Sequence, residues 1–464
     1  MLSRFFHPDK PVNKYLVYFL MAFTVLITSV SIYYLSLKKP YDFSTRFNAA
    51  KDYYHGYNAN ETQLPQENLL RYKLPEPKVN PNWGSEDHKR PPSLPHQILC
   101  YAPFLNYQQA KTLFFILNGI VLFCLPILLL KKTNFFGDIN LKAPRNKDLF
   151  LVFLALLLLN SSAVVFSMRM GQLIIVQVFC LYYAFFVSKS RWSKAPLIAF
   201  STIIKYSNLP LFYLWLAIKK DFKTIFASLG LIALANAVPI LWHDYTFQGV
   251  FFPYVESILN IYFIPGGVSE VNINPFYLIG VGEVFQHAGV ARILKLALAA
   301  IMVHTLYKEY KNPSDKITID GFFNLSMVTI LIIYHRLYEA LFILPILCVY
   351  LYNAYLNGKW KPFFVYGFFL SLLVIPFSIF FAASPYVFVP FFQFLNIDSI
   401  FYLHEAIAPQ IADKVFSKGF SLGDFLRYSF GLIFGYPTTH YFMPIYSVFL
   451  LVIFSGTLYL RRGR

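Results

Sequence analysis

Acidic residues are scarce in this sequence. It holds 23 Asp and Glu against 40 Lys and Arg, a net charge of +17, and only 14% of its 464 residues are charged. With 57% hydrophobic residues, the composition excludes an ordinary soluble domain, and several apolar runs approach the ~20 residues that cross a bilayer. In a soluble protein the basic excess would point to nucleic acid. Here it falls in short loops between apolar runs, where Lys and Arg mark the cytoplasmic side and meet anionic lipid, so nucleic acid is set aside. Cysteines are few. Cys100, Cys124, Cys180 and Cys348 lack metal-ligand spacing, and three lie inside apolar runs, as small core residues do. No His pair has the i, i+4 spacing of a zinc helix, and there is neither a Gly-rich phosphate loop nor a Gly-x-Ser-x-Gly. A nucleotide-sugar or ATP site on the cytoplasmic side therefore has no support. No small-residue cleavage site ends the first apolar run, which reads as a retained span.

What the chain has in abundance is aromatic and apolar. Its 51 Phe and 34 Tyr suit lipid-facing helices and the interfacial belt. The pattern predicts an all-α polytopic integral membrane protein: a bundle of about ten transmembrane helices plus a re-entrant hairpin, forming a single membrane domain over 1–464. The first span, from Tyr15 to Leu37, leads into a long polar segment, 38–108, in which Asn48 to Tyr57 is expected to form an interfacial helix. The second span is 109–130. Lys131, Lys132, Lys142, Arg145 and Lys147 then crowd one short loop and place it inside. Spans at 148–166 and 171–188 are joined by the outer turn Ser167 to Gln172.

Basic residues flank 195–218 on both sides, and two full crossings need ~40 residues, more than that stretch supplies. A re-entrant hairpin bending near Lys205–Pro210 resolves the conflict. Further spans are expected at 223–241, 289–307, 318–334, 337–356, 362–382 and 441–460, with a second long outer segment at 384–440 and both termini cytoplasmic.

Several ionisable residues stand at the span ends. Asp42, a few residues beyond the first span, is either a solvated loop acid or a carboxylate that meets a lipid-linked and a water-soluble substrate at the membrane boundary. Arg169 either snorkels to headgroups or binds phosphate, since guanidinium forks match phosphate oxygens. Lys205 lies inside an apolar stretch, where a charge is costly and marks a functional site by default. Its alternative is a structural role at the bend. Tyr334-His335-Arg336-Leu337-Tyr338-Glu339 packs three ionisable residues between two spans with no loop to spare.

The order of these features resembles the polytopic GT-C glycosyltransferases. Within them it is most similar to glycosyltransferase family 87, the polyprenyl-phosphate-mannose-dependent mannosyltransferases. The matching residues are Asp42-Phe43…Ala49-Ala50…Gly56, then Arg90-Pro91-Pro92…Pro103 with Arg where the family has an aromatic residue. Gly171-Gln172 follows without the usual next Asn, then Lys205…Pro210 and the turn at His335. The resemblance covers about 40–360 and implies a GT-C-like bundle that moves a sugar, mannose first, from a polyprenyl-phosphate donor to an acceptor hydroxyl outside the membrane, with inversion.

On that resemblance Asp42 is the base. Arg169, His335, Arg336 and Lys205 are donor-phosphate ligands, and Arg46, His88, Arg90, Gln172 and Glu339 position acceptor or substrate. The implied partners are the lipid-linked donor, a glycan, glycolipid or protein acceptor, and the bilayer, in a bacterial plasma membrane. No cofactor or metal is expected, and a divalent ion stays open. The rival expectation is a transporter or flippase of lipid-linked or small solutes. That class places polar residues along a midplane path and pairs broken helices in a repeat.

Overall fold

The computed structural model describes residues 7–57, 98–133, 135–136, 139–242, 248–253, 255, 288–332, 337–374 and 443–462. They are mostly helical, with no strand among them beyond an isolated bridge between Pro11 and Arg145. The expected outer segment 384–440, most of 38–108, and the residues His88, Arg90, His335 and Arg336 lie outside the described residues.

In chain order the helices are α1 (Lys14–Ser36), α2 (Tyr41–Tyr54), α3 (Ile98–Tyr101), α4 (Tyr107–Lys131), α5 (Asn146–Leu159), α6 (Ser162–Met170) and α7 (Ile174–Tyr182). They continue as α8 (Arg191–Ile204), α9 (Pro210–Ile218), α10 (Phe222–Trp242), α11 (Ala288–Lys311), α12 (Ile319–Ile332), α13 (Leu344–Leu356), α14 (Trp360–Val374) and α15 (Met443–Arg462). Among the described residues three stretches are long and apolar enough to cross a membrane: Lys14–Ser36, Tyr107–Lys131 and Asn146–Met170. Among the described residues the fold is helical with long apolar helices, which is consistent with an all-α membrane protein.

The chain forms two compact units. The first holds Met1–Ser31, Leu129–Phe166 and Ser269–Arg464, and the second Ile32–Leu128 and Ser167–Val268. In the first unit α13 is buried nearly all round, as a helix that is apolar on every face must be. It packs on α5 and α14, with Phe150 against Tyr355 at 4.8 Å between ring centroids. Gly456 seats α15 on α14, because a Cβ there would lie 3.0 Å from Phe369 Cε2 and closer still to Cζ. The amino-terminal segment is laced to the start of α5. Val12 N–H donates to Pro144 O (2.9 Å), Asn146 N–H to Lys10 O (2.9 Å) and Lys147 N–H to Pro8 O (3.0 Å).

The second unit is built on aromatic packing. Phe43 and Phe47, four residues apart on α2, share one face. Both meet Tyr107 of α4, at 5.9 and 5.6 Å, and Phe43 also meets Tyr101 (5.7 Å) and Phe114 (5.1 Å). The Ser44 and Tyr107 hydroxyls add a 2.7 Å hydrogen bond. Farther along, α10 packs on α8 and α9, and the hydroxyl of Tyr213 meets those of Thr202 (3.0 Å) and Ser228 (3.2 Å).

Four local expectations change. The helix expected from Asn48 begins at Tyr41, because Pro40 fixes the turn before it and Phe43 starts its buried face. The span expected at 148–166 is interrupted at Asn160–Ser161. There the Asn160 amide bonds Leu156 O (3.1 Å) and Thr28 Oγ1 (3.0 Å), and Ser161 Oγ accepts from Val164 N–H (3.3 Å), side-chain bonds that compete with the helix ladder. The stretch 337–356 opens as a 3-10 helix, Leu337–Phe342, before α13 begins with Pro345 in its first turn. Helix α6 runs through Met170, so the turn is shorter than Ser167–Gln172 and Arg169 sits in the last helical turn, where a cation complements the helix dipole.

At the expected bend, α8 stops at Ile204, Lys205 is extended (φ −159°, ψ 104°), Tyr206–Asn208 makes one 3-10 turn and Pro210 opens α9. Helices of 14 and 9 residues are each shorter than the ~20 a full crossing takes.

Candidate active site

Asp42 lies in the first turn of α2, just past the end of α1. Among its partners is Gln172, whose side-chain N–H donates to Asp42 Oδ2 across 130 residues of sequence.

Gly171 makes this pairing possible. Its φ is +77°, a left-handed conformation, and a Cβ there would lie 2.9 Å from Phe43 N, 3.0 Å from Pro40 Cβ and closer than atoms can approach to Phe43 Cβ. Only glycine lets the turn after α6 press against the start of α2. The backbone of Gln172 is held as well. Its N–H donates to Ser167 O (2.9 Å), and its carbonyl accepts from Ser167 Oγ (3.2 Å).

Arg46 follows Asp42 by four residues on α2, and its guanidinium donates to the phenol oxygen of Tyr101. Burial pushes the Tyr101 phenol up to about 12 against the pull of Arg46, so it stays an O–H near neutral pH. Burial likewise pushes the Cys100 thiol up to about 12, which keeps it unreactive.

Arg169 and Lys205 belong to the same unit as Asp42. Arg169 Nη1 is buried and has no hydrogen-bond partner among the described residues, and Tyr34 is within its electrostatic reach. The backbone at Lys205 is set by Gln177, which the sequence reading passed over. The Gln177 amide donates to Ser201 O (2.7 Å) and Lys205 O (2.8 Å), and its oxygen accepts from Asn208 Nδ2 (2.8 Å). A fully buried glutamine thus holds the broken end of α8 with both its N–H donors and its carbonyl oxygen. The only available signal was its polarity inside an apolar run.

Lys111 was also passed over. It is 8% exposed on α4, between Tyr107 and Phe114, both of which touch Phe43. Glu339 lies in the first unit, 0% exposed, on the 3-10 helix rather than in a solvated turn. Among the described residues no three His, Cys, Asp or Glu side chains gather as a metal-binding group.

The structure therefore joins Asp42 to Gln172, places Arg46 on the same helix, and keeps Arg169 and Lys205 in the same unit. No curated protein and no solved structure matched the chain. A family model did match: glycosyltransferase family 87, over residues 95–314. That stretch contains Arg169, Gln172 and Lys205 and leaves Asp42 and Glu339 outside it. With helices apolar and long enough to span a bilayer, the match relates the chain to glycosyltransferase family 87 and supports its being a membrane glycosyltransferase.

Proposed function

We propose that this protein transfers a sugar, mannose first among the candidates, from a polyprenyl-phosphate donor to an acceptor hydroxyl on the extracytoplasmic side, with Asp42 as the general base. The observation that carries this reading is the placement of Asp42. It sits at the start of a helix directly beyond an apolar stretch long enough to span the bilayer, held by a glutamine from the family-matched part of the chain.

The chemistry needs one carboxylate. Asp42 takes the proton of the acceptor hydroxyl while the acceptor oxygen bonds to the anomeric carbon. The bond from that carbon to the phosphate oxygen breaks, and its electron pair leaves with the phosphate. Phosphate is already a good leaving group, so cations suffice to steady the departing charge and no second carboxylate is required. Arg169 and Lys205 are the cations of the second unit assigned that role, and His335 and Arg336 are assigned it on the family resemblance. Arg46, His88, Arg90 and Glu339 position the acceptor, which is a glycan, a glycolipid or a protein hydroxyl. The protein works in a bacterial plasma membrane with both termini in the cytoplasm.

The test is purified protein in detergent or vesicles with polyprenyl-phosphate mannose and a panel of acceptors. Release of polyprenyl phosphate with sugar on the acceptor is the expected result. Movement of intact lipid or solute across vesicles without cleavage would identify a transporter instead.

A further inference from the structure

We infer that Lys111 is a further ligand of the donor phosphate, presented by α4 from the ring side of Phe43. The inference rests on the reading of this chain as a polyprenyl-phosphate-dependent transferase and adds a binding residue which that reading does not contain.

Lys111 sits at the centre of the covered face of α4. At about 100° per residue, it stands across the helix from Leu113, Ile116, Leu117 and Ile120, all of them exposed. A lysine that snorkels to headgroups belongs on that exposed face. Lys111 instead shares its stripe with Tyr107, four residues before it, and Phe114, three after it. Both of their rings pack on Phe43, and Lys111 between them is 8% exposed.

A lysine held in so apolar a place is costly unless an anion meets it. Among the described residues Lys111 makes no hydrogen bond and no ion pair. Arg169 Nη1, in the same unit, is also buried with no hydrogen-bond partner there. The turn that follows Arg169 meets Phe43 at its backbone, through Gly171, and the stripe that carries Lys111 meets it at its ring. Two cations thus stand on elements packed against one residue, the neighbour of Asp42. Both lie in the family-matched stretch 95–314. The anion that a lipid-linked sugar brings is phosphate. It holds one charge as the diester and approaches two as the monoester left behind, so a second cation acts most strongly as the sugar–oxygen bond breaks.

The test measures binding of a short polyprenyl phosphate, and of the matching polyprenol, to purified full-length protein in phosphatidylcholine nanodiscs. Wild type should hold the phosphate more tightly than the alcohol. Lys111→Met keeps the unbranched apolar stem and removes the charge. It should weaken phosphate binding about 10- to 100-fold, the effect of losing a hydrogen bond to a charged group, and leave polyprenol binding within about twofold.

Unchanged phosphate binding in Lys111→Met would overturn the inference, as would an equal loss of phosphate and polyprenol binding. If neither Lys111→Met nor Lys111→Leu folds, the lysine is structural and the inference fails. Phosphatidylglycerol added to the nanodiscs separates the two sources of a lipid phosphate. If it displaces polyprenyl phosphate at equal mole fraction, Lys111 serves bulk anionic lipid and the donor assignment is lost. The two levels come apart cleanly. Wild type that binds polyprenol as tightly as polyprenyl phosphate removes the donor class itself, whereas a wild-type preference that persists unchanged in Lys111→Met removes only Lys111.

Discussion

Asp42 and Asp320 occupy the same place in their helices, the first turn, one in each compact unit. Asp320 meets the Arg461 guanidinium at 2.9 Å and accepts from the Tyr350 hydroxyl at 2.5 Å. Arg461 in turn bonds Asn324 Oδ1 (2.7 Å) and lies over the rings of Phe323 and Tyr350. That carboxylate is a fastener: it ties the end of α15 to α12 and α13. Asp42 takes a bond from the neutral amide of Gln172, on the turn that Gly171 presses against α2. An amide orients a carboxylate without supplying a compensating charge. An aspartate's position in a helix therefore says little about its task, and the groups that engage it say more.

The largest effect that sharpens this contrast is at Asp42. Asp42→Asn keeps the shape and the hydrogen-bonding capacity but cannot take a proton. Transfer should drop by about 10²- to 10⁴-fold, the usual worth of a general base. Stability should fall by only about 0.3–1 kcal/mol, for the charge lost at the helix start. The two numbers come from a transfer assay and a thermal melt on the same purified protein. Wild-type turnover would place Asp42 with the fasteners.

The opposite pattern is expected at the other aspartate. Arg461→Met removes the cation from Asp320 and from the Tyr350 and Phe323 rings. The Asp320 side chain is 57% exposed, so the loss is tempered by solvent to about 1–2 kcal/mol. Transfer per folded molecule should be unchanged. A drop in turnover at equal folded fraction would mean that the distinction between the two aspartates had been drawn in the wrong place.

How far the sequence could reveal this contrast follows from what each signal depends on. Long apolar runs report themselves, so Lys14–Ser36 and Tyr107–Lys131 stand within two residues of their expected bounds. The helix break within 205–210 was also legible, since the stretch is too short for two crossings and Pro210 cannot continue a helix. Asp42 and Gln172 were each singled out, but their pairing across 130 residues was not, because it depends on how closely the backbone passes at Gly171. Gln177 was invisible for a related reason: its partners lie 24 to 31 residues away, and only the folded chain shows that they are the carbonyls of a broken helix end and a neighbouring amide. The break at Asn160–Ser161 hid inside an apolar run whose average outweighed its two polar residues. Composition reports which segments enter the membrane, while sites are made by distant side chains that composition cannot pair.

The smallest expected effect concerns a third aspartate. Asp9 is fully exposed and sits beside two cations, Arg145 at 2.9 Å and Lys147 at 3.3 Å. Their hydrogen bonds, Arg145 foremost, hold its carboxyl below the ordinary value for an aspartate. A carboxyl whose folded pKa is depressed contributes stability above its unfolded pKa, about 3.9, and loses it as pH falls through the folded value. The tie between the amino-terminal segment and the start of α5 should therefore hold at neutral pH and loosen only below about pH 4. Amide exchange at Val12, Asn146 and Lys147, whose N–H groups bridge the two segments, is the readout. Comparing wild type with Asp9→Asn at each pH cancels the intrinsic pH dependence of exchange. At neutral pH the variant should exchange slightly faster at these three amides, and the difference should vanish toward pH 3 as the wild-type carboxyl is protonated. Sugar transfer at neutral pH should be the same in both. A gap that persisted or widened in acid would mean that the two cations do not set the behaviour of Asp9. It would also weaken the reading of Asp320 as a fastener, because Asp9 is the simplest case of a carboxylate governed by charged partners.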